Sequence, residues 1–365
     1  MSSKSPTGIA PVLQVHPLRR CNLACAHCYT SSGPQAEEEL GVELLAACLE
    51  DAARLGYRQL AVSGGEPLLY RPLAELLSIA RALGMITTVT SNGMLATHGR
   101  WKPLASLLDV VAISIDGTPE EHDAIRRRQG AFAGTLNNLP VLRSSGVPFG
   151  FIFTLTQHNL DSLEYVVRLA AIHGARSVQV HPLVLHGRAA TALPEARPDG
   201  IELSTALFEA ERLGRKLGVV VHVDALSIEQ LFRYRDHVVP ARPVQRLVDV
   251  APVLVVEADA TVMPLTHEVS RDLALGSLAD TSLSSLAQDW LANGHGDRLA
   301  GACEKTWTDL TAASRSAAVY WYEEVAARTR EYVAVTAPRW RAARRTRYGT
   351  VKLTNVSSHI PHIDA

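Results

Sequence analysis

Short apolar runs alternate with longer amphipathic stretches along the first two thirds of the chain. The short runs have the length and β-branched content of buried strands, and the longer stretches repeat apolar residues at helical spacing. Predicted strands span residues 12–15, 60–63, 86–90, 110–114, 149–155, 177–180 and 219–223, and predicted helices include 41–56, 72–84 and 160–174. Strands that alternate with helices predict a parallel sheet with covering helices, as a full or partial (β/α) barrel or an open doubly wound sheet. Six or seven such units in about 220 residues favour the barrel.

Polar or glycine-bearing residues follow five of the predicted strands. They read SGGEP at 63–67, TSNG at 90–93, SIDG at 114–117, TQHN at 156–159 and HP at 181–182. In a parallel barrel the carboxyl ends of the strands meet on one face, where the active site lies. Together these segments predict a site lined with glycine backbone, hydroxyls, amides and carboxylates.

The pattern changes after about residue 225. The runs LVVEA and TVMPL flank Asp259 and Ala260 as the two strands of a hairpin, and most of the chain beyond the hairpin has helical spacing. We therefore expect a second, smaller domain there. The predicted divisions are a flexible N-terminus at 1–11, a core domain at 12–225, a smaller domain at 226–335, and an arginine-rich segment with a tail at 336–365.

The composition is that of a globular protein without a strong overall charge. Hydrophobic residues make up 47% of the chain and charged residues 20%, and the formal net charge is -1. Such a chain has no global field that would attract nucleic acid or an anionic membrane. One basic patch allows two interpretations, a solvated helix face or a docking site for an acidic partner. Its members are Arg339, Arg341, Arg344, Arg345 and Arg347.

The N-terminal segment and the cysteine content predict a cytoplasmic protein. Residues 1–20 lack the long apolar core of a signal peptide, and no later stretch reaches the ~18 uninterrupted apolar residues of a membrane span. Three of the five cysteines lie within residues 21–28. An odd and clustered set of cysteines does not suit a secreted disulfide framework and more often binds metal.

The stretch RCNLACAHCY spaces Cys21, Cys25 and Cys28 as C-x3-C-x2-C, which allows three interpretations. A structural zinc site needs four ligands, and the fourth would be His27 or a distant residue. A buried structural role suits Cys48, on the apolar face of a predicted helix, better than three cysteines in one loop. An iron–sulfur cluster on three thiolates leaves one iron without a protein ligand, which makes chemical sense only if another molecule binds that iron.

CNLACAHCY resembles the signature of the radical S-adenosylmethionine (SAM) superfamily, in which an aromatic residue neighbours the last of three cysteines. The resemblance continues in order through SGGEP, TSNG, SIDG and HDAIR, across roughly residues 12–225. It implies a partial (β/α)6 TIM-like barrel, one [4Fe–4S] cluster on Cys21, Cys25 and Cys28, and SAM on the fourth iron. Reductive cleavage of SAM would then give a 5′-deoxyadenosyl radical that abstracts hydrogen from a substrate.

The same resemblance implies which residues contact SAM. Gly64, Gly65 and Glu66 would meet the methionyl amino group, since the glycines let backbone approach the ligand closely. Arg126 would pair with the SAM carboxylate, and His27 would pack or hydrogen-bond rather than bind iron. The other implied contacts are with the ribose or carboxylate for Ser114 and Asp116, with the adenine for Tyr29, and with the pocket wall for Ser91 and Asn92. Taken singly, SGGEP and SIDG would also fit ordinary turns.

The segment ADATVMPLTHEVSRDLALGSLAD resembles the start of the SPASM extension of peptide- and cofactor-modifying members of that superfamily. Leu265 stands where the extension has a cysteine, and Gly276 and Ser277 stand where it has Gly-Asn. The extension normally carries about seven cysteines for auxiliary clusters, whereas only Cys303 follows Cys48 here. We therefore expect a SPASM-like or twitch-like α+β fold without metal in the smaller C-terminal domain.

Loss of the auxiliary clusters would favour reactions in which the substrate radical is resolved without passing an electron to a second cluster. Epimerisation, rearrangement, or hydrogen abstraction followed by return of hydrogen from a protein thiol are the candidates. Cys303 is the candidate donor, and an inert core or surface cysteine is the alternative.

The resemblance implies a peptide or a small natural-product or cofactor precursor as substrate, and an electron donor such as flavodoxin or ferredoxin. With Cys21 so near the start, we expect no N-terminal leader-binding domain, so that a separate protein would present a peptide. Two other classes stay open, a non-catalytic three-cysteine scaffold or electron-transfer protein, and an RNA-modifying radical enzyme that uses the basic patch. The near-neutral charge argues against nucleic acid, and we expect no membrane partner.

Overall fold

The computed structural model describes residues 10–313 and 318–336. Its strands are β1 Val12–Val15, β2 Gln59–Val62, β3 Ile86–Ser91, β4 Val110–Ser114, β5 Phe149–Leu155, β6 Ser177–Pro182, β7 Val220–Val223, β8 Leu226–Ser227, β9 Val253–Val256, β10 Thr261–Pro264, β11 Gly276–Ser277 and β12 Ala318–Val319. Each strand predicted from the apolar runs is confirmed, and β6 continues two residues further than predicted. The basic patch at 339–347 lies outside the described residues.

Helices follow most of the strands. They are α1 Val42–Leu55, α2 Leu73–Ala82, α3 His98–Trp101, α4 Pro119–Ile125, α5 Ala131–Ser145, α6 Leu163–His173, α7 Ala189–Ala192, α8 Gly200–Leu217, α9 Ile228–Arg233, α10 Arg235–Val238, α11 Leu247–Val250, α12 Leu283–Ala292, α13 His295–Ala313 and α14 Trp321–Thr336. Within the part of the chain that the structure describes, no helix has both the length and the apolar content needed to cross a membrane.

The main sheet has the strand order β11-β10-β9-β1-β2-β3-β4-β5-β6-β7. Each neighbouring pair from β1 to β7 is parallel. Four strands separate β1 from β6, so the six-stranded core is a partial and not a closed barrel. The structure therefore confirms the predicted partial (β/α)6 arrangement, and the carboxyl ends of its strands share one edge.

The two faces of this sheet differ in chemistry. Leu13, Leu60 and Val111 lie on the face that packs against the helices, and each is fully buried. The opposite face also holds the apolar Ala61, Ala112 and Ile152, but many of its positions are polar and at least partly exposed: Gln14, Gln59, Thr88, Thr90, Ser114, Thr154, Gln179 and His181. A parallel sheet covered on both faces by apolar elements would be hydrophobic on both. The polar inner face therefore lines a space suited to a polar ligand.

The predicted hairpin of the C-terminal region extends this same sheet. β9 pairs with β1 in parallel register, and β10 returns antiparallel to β9. Ala260, at the hairpin tip, has a left-handed backbone with φ 69. The hairpin thus anchors the C-terminal region to the first strand of the core, beside the cysteine segment that follows β1.

Candidate functional site

Cys21, Cys25 and Cys28 lie on one loop after β1, which we call the cysteine loop, residues 21–33. All three thiols are free and half-buried. The Leu23 N–H donates to Cys21 Sγ at 3.4 Å, and the Thr30 hydroxyl lies 3.3 Å from Cys28 Sγ. Burial raises the pKa of Cys21 to about 12. Any metal that binds here must therefore displace protons, which makes its affinity dependent on pH.

The glycines of SGGEP pack against the segment between β1 and the cysteine loop. The Gly65 N–H donates to the Leu18 carbonyl at 2.9 Å, and the Glu66 N–H donates to the Arg20 carbonyl at 3.0 Å. A Cβ atom on Gly65 would lie 2.2 Å from the Arg20 carbonyl oxygen, and one on Gly64 would lie 2.8 Å from His16 Cβ. Protein packing by itself therefore requires glycine at both positions, besides the close approach to a ligand that the sequence implied.

The Glu66 carboxylate organises the neighbouring loop after β3. It accepts hydrogen bonds from the Ser91 hydroxyl at 2.8 Å, from the Asn92 N–H at 3.0 Å and from the Leu68 N–H at 3.1 Å. Burial raises the pKa of Glu66 despite these bonds. Three donors from this chain surround the carboxylate, so the side chain of Glu66 supports the loop after β3. Its backbone N–H donates to the Arg20 carbonyl and its carbonyl accepts from the Leu69 N–H at 2.9 Å, so contact between Glu66 and a ligand stays a prediction.

Asn92 connects that loop to the cysteine loop. Its Nδ2 donates to Asn22 Oδ1 at 2.8 Å and lies 3.9 Å from Cys21 Sγ. The Thr135 hydroxyl donates to the Asn92 carbonyl at 2.7 Å and holds the turn in place. Asn92 therefore lies beside the cysteine loop, and its contact with SAM stays a prediction.

Asp116 and Arg126 form a buried ion pair at the end of β4. Arg126 Nε and Nη2 approach Asp116 Oδ2 at 2.8 and 2.7 Å, and the Arg126 and Asp116 side chains are 6% and 0% exposed. Burial alone would raise the pKa of Asp116, but Arg126 and then His27 hold it well below its ordinary value. The Ala26 N–H donates to the Ile125 carbonyl at 2.7 Å, which joins the cysteine loop to the residue before Arg126. Burial raises the pKa of Cys25, and the charge of Arg126 opposes this rise.

Two histidines complete the surroundings of this ion pair. His27 Nε2 lies 3.7 Å from Asp116 Oδ2, and His27 Nδ1 is buried without a hydrogen-bond partner among the described residues. Burial lowers the pKa of His27 to about 4, so the ring is neutral near pH 7. His122 Nδ1 accepts the Asp116 N–H at 3.2 Å. The sequence had singled out His27 as a packing residue and had missed His122, which appeared only as part of the HDAIR match.

Tyr29 lies on the inner face of the sheet. Its hydroxyl lies 3.3 Å from His16 Nε2 and 3.4 Å from Ser63 Oγ. Its ring stacks on His267, with centroids 4.6 Å apart and an interplanar angle of 14°. Adenine contact for Tyr29 stays a prediction, and the sequence had missed the partner ring from the loop after β10.

Ser114 and Cys303 are the remaining predicted site residues. Ser114 ends β4 on the inner face, half-exposed. Cys303 is buried within α13 among the residues of the main core, and burial raises its pKa to about 12. Its burial suits the inert core cysteine that the sequence offered as the alternative, and its role as hydrogen donor stays a prediction.

The donor set fits an iron–sulfur cluster on chemical grounds. Three free thiols share one loop, and N–H groups of Leu23 and Asn92 approach the sulfur atom of Cys21. The loop also bonds to Ile125, the residue before the cationic Arg126. Within residues 10–313 and 318–336, no three Cys, His, Asp or Glu side chains converge on a point that would hold a single metal ion.

The model of the Radical SAM superfamily matches residues 15–170. Residues 15–170 form a radical SAM domain. The matched range holds the three cysteines, the glycine turn and the Asp116–Arg126 pair. The chain resembles the Fe-coproporphyrin III synthase of Methanosarcina barkeri, with 32% identity over 187 residues that cover 51% of this chain and 47% of the relative. It also resembles the PqqA peptide cyclase of Ruegeria pomeroyi, with 33% identity over 217 residues that cover 56% of this chain and 57% of the relative.

A solved structure, anSMEcpe with bound AdoMet, has the same fold at 16% identity. The TM-score is 0.60, and the match covers 90% of this chain and 94% of that chain. Radical SAM domains use a [4Fe–4S] cluster and SAM. The chain spans about half the length of the curated relatives it matches.

Proposed function

We propose that this protein is a radical SAM enzyme that binds one [4Fe–4S] cluster through Cys21, Cys25 and Cys28. When bound, the cluster and SAM supply the reductive cleavage of a C–S bond that yields a 5′-deoxyadenosyl radical. The protein's own part is to hold the thiolates, to orient SAM against a substrate C–H bond and to exclude water. The observation that supports this proposal is the set of three free thiols on one loop, bordered by elements from three other strand ends.

The residues around the cysteine loop have distinct proposed roles toward SAM. The backbone of Gly64, Gly65 and Glu66 would meet the methionyl amino group. Asp116 engages Nε and Nη2 of Arg126, which leaves Nη1 as the nitrogen that would meet the SAM carboxylate. The remaining proposed contacts are the ribose with Ser114 and Asp116, the adenine with Tyr29, and the pocket wall with Ser91 and Asn92.

The inner face of the sheet favours a peptide over a polycarboxylate tetrapyrrole as substrate. Names of relatives point to both classes, since one is a PqqA peptide cyclase and another an Fe-coproporphyrin III synthase. The described strands β1 to β6 contain no lysine or arginine, and their inner positions carry amides, hydroxyls and an imidazole beside the apolar Ala61, Ala112 and Ile152. Several ring carboxylates would need cationic partners, whereas a peptide backbone suits neutral donors and acceptors. We therefore propose a peptide or related natural product as substrate.

The proposal includes a redox-neutral outcome and an external electron donor. Only Cys303 follows Cys48 in the sequence, and one thiolate cannot hold an auxiliary cluster. We therefore propose epimerisation, rearrangement or another reaction without net oxidation of the substrate. A donor such as flavodoxin or ferredoxin would reduce the cluster. We also propose a cytoplasmic location, because an odd and clustered set of cysteines does not suit a secreted disulfide framework.

Anaerobic reconstitution tests the proposed cluster. We expect wild-type protein to bind about four irons per chain, and we expect Cys25→Ala to lose most of them. Cys48→Ala is the matched control, because Cys48 is a free cysteine buried in α1, outside the cysteine loop. Equal iron in the wild type and in Cys25→Ala would contradict the proposal, and about eight irons in the wild type would contradict a single cluster.

Deuterium transfer tests the substrate class. Reconstituted enzyme would be given SAM and reductant with either a deuterated candidate peptide or a series of deuterated polycarboxylate tetrapyrroles. We expect deuterium in 5′-deoxyadenosine or, where the hydrogen returns to the substrate, in recovered SAM only from the peptide, because the 5′ carbon receives the abstracted atom. Transfer from a tetrapyrrole alone would refute the proposed substrate class while leaving the radical chemistry intact.

A further inference from the structure

Arg188, in the turn after β6, donates hydrogen bonds to the backbone of the cysteine loop. Nη1 of this arginine donates to the Cys25 carbonyl at 2.8 Å, and Nη2 donates to the Ser32 and Ser31 carbonyls at 2.7 and 3.2 Å. The Arg188 N–H also donates to the Cys28 carbonyl at 2.9 Å. One residue thus binds four carbonyl oxygens spread over eight positions of the cysteine loop.

The two residues before Arg188 bring the turn into direct contact with the same loop. His186 Nδ1 lies 3.0 Å from the Tyr29 carbonyl oxygen. Gly187 has a left-handed backbone with φ 58, and a Cβ atom there would lie 2.1 Å from that oxygen. The approach therefore depends on glycine at 187. Residues 186–188, which we call the clamp, fit the backbone of the cysteine loop without room for a further methyl group.

The position of the clamp shows what it joins. The cysteine loop follows β1 and the clamp follows β6, and four strands separate these two in the sheet. No hydrogen bonds between strands link β1 to β6. Contacts between the loops that follow these two strands therefore join the open sides of the partial barrel at this edge. A guanidinium suits this task because its planar fork donates in several fixed directions at once.

We propose that Arg188 is a positioning residue that fixes the directions of Cys25 and Cys28 before iron binds. The carbonyl groups of both cysteines are held by this one side chain and its own N–H, so the loop cannot rotate either residue without breaking a charge-assisted or backbone hydrogen bond. This positioning role rests on the proposed function in one respect, that the ligand of the loop is an iron–sulfur cluster. The pre-organised loop is a property of the metal-free protein.

Hydrogen exchange on the metal-free protein tests the clamp without any cofactor. We expect Arg188→Met to raise exchange across residues 21–33 by about tenfold, because the hydrogen bonds from the guanidinium are lost. Gly187→Ala should produce the same local increase by a different cause, since its methyl group pushes the clamp away. Arg197→Met is the matched control, because Arg197 pairs with Glu323 and Glu324 and not with the cysteine loop. Unchanged exchange at 21–33 in both Arg188→Met and Gly187→Ala would overturn the proposal.

Reconstitution of the same variants tests the link to the cluster. Arg188→Lys keeps the positive charge but lacks the planar guanidinium that donates to several carbonyls at once. We therefore expect this variant to bind less iron than the control Arg197→Met and to give a broadened electron paramagnetic resonance spectrum. A spectrum and iron content equal to those of the wild type in Arg188→Lys and Arg188→Met would overturn the positioning role. If the wild type itself bound no iron, the proposed function would fail, and the exchange experiment would still decide whether the clamp holds the loop.

Discussion

Asp116 and Arg126 show how one residue pair can serve both the fold and the site. The resemblance assigned each a contact with SAM, and the structure also pairs them with each other at 2.7 Å in a buried environment. A buried charge that loses its partner is costly, because the remaining ion stays desolvated. The pair therefore holds a cation beside the cysteine loop in a position that neither residue could maintain alone.

Removal of the carboxylate should destabilise the metal-free protein. We expect Asp116→Asn to lower the free energy of unfolding at pH 7 by about 3–5 kcal/mol. Asp249→Asn is the control, because the Arg246–Asp249 pair is exposed and should cost no more than about 1 kcal/mol. Urea denaturation measures both values. Equal effects of the two substitutions would contradict the buried pair.

The same variant should change how stability depends on pH. The pKa of Asp116 is lower in the folded protein than in the unfolded chain, so its contribution is fully present above about pH 4 and is lost as the pH falls below it. We expect the difference between wild type and Asp116→Asn to shrink in denaturation series from pH 5 towards pH 2. A constant difference over this range would show that the carboxyl group is not held in its charged form.

Cys303 is the residue for which sequence and structure point in different directions. Its thiol lies among buried core residues of α13, so we expect Cys303→Ala to keep both 5′-deoxyadenosine and product formation. Mass spectrometry of product and 5′-deoxyadenosine checks this expectation. Loss of product with continued 5′-deoxyadenosine would instead establish Cys303 as the hydrogen donor.

Among the elements, the end of α4 positions Arg126 through a defined C-terminal motif. The Arg127 N–H donates to the Ala124 carbonyl at 3.1 Å, and the Arg128 N–H donates to the Asp123 carbonyl at 3.0 Å. This is the Schellman arrangement, in which glycine usually occupies the left-handed position. Here that position is Arg127, which is exposed and has φ 53. The C-cap residue of α4 is Arg126, directly before Arg127. The motif therefore fixes the backbone position from which the Arg126 side chain reaches Asp116.

Glycine at the left-handed position should therefore stabilise the protein. We expect Arg127→Gly to raise the free energy of unfolding by up to about 1 kcal/mol, because a side chain in this conformation is strained. Arg128→Gly is the control, since residue 128 has no left-handed backbone and gains only chain entropy in the unfolded state. Thermal unfolding of both variants decides the matter. Stabilisation by Arg128→Gly, or none by Arg127→Gly, would contradict the strain at residue 127.

At the scale of the whole molecule, periodicity predicted the parallel sheet with covering helices, and the family resemblance narrowed this to a partial barrel, which the structure confirms. β4 and β5 were predicted to the residue because their apolar runs end abruptly at polar turns. Contacts between distant segments carry no such signal. The Tyr29–His267 stack and the hydrogen bonds from Arg188 to the cysteine loop each join positions more than 150 residues apart, so no local sequence pattern predicts them. The parallel pairing of β9 with β1 escaped prediction for the same reason.

The measurement that tests the central claim most directly is formation of 5′-deoxyadenosine by anaerobically reconstituted protein given SAM and dithionite. The account predicts 5′-deoxyadenosine from the wild type and from Cys48→Ala, and its near absence from Cys21→Ala, Cys25→Ala and Cys28→Ala. A wild type that binds about four irons yet forms no 5′-deoxyadenosine, or a Cys25→Ala variant as active as the wild type, would contradict it.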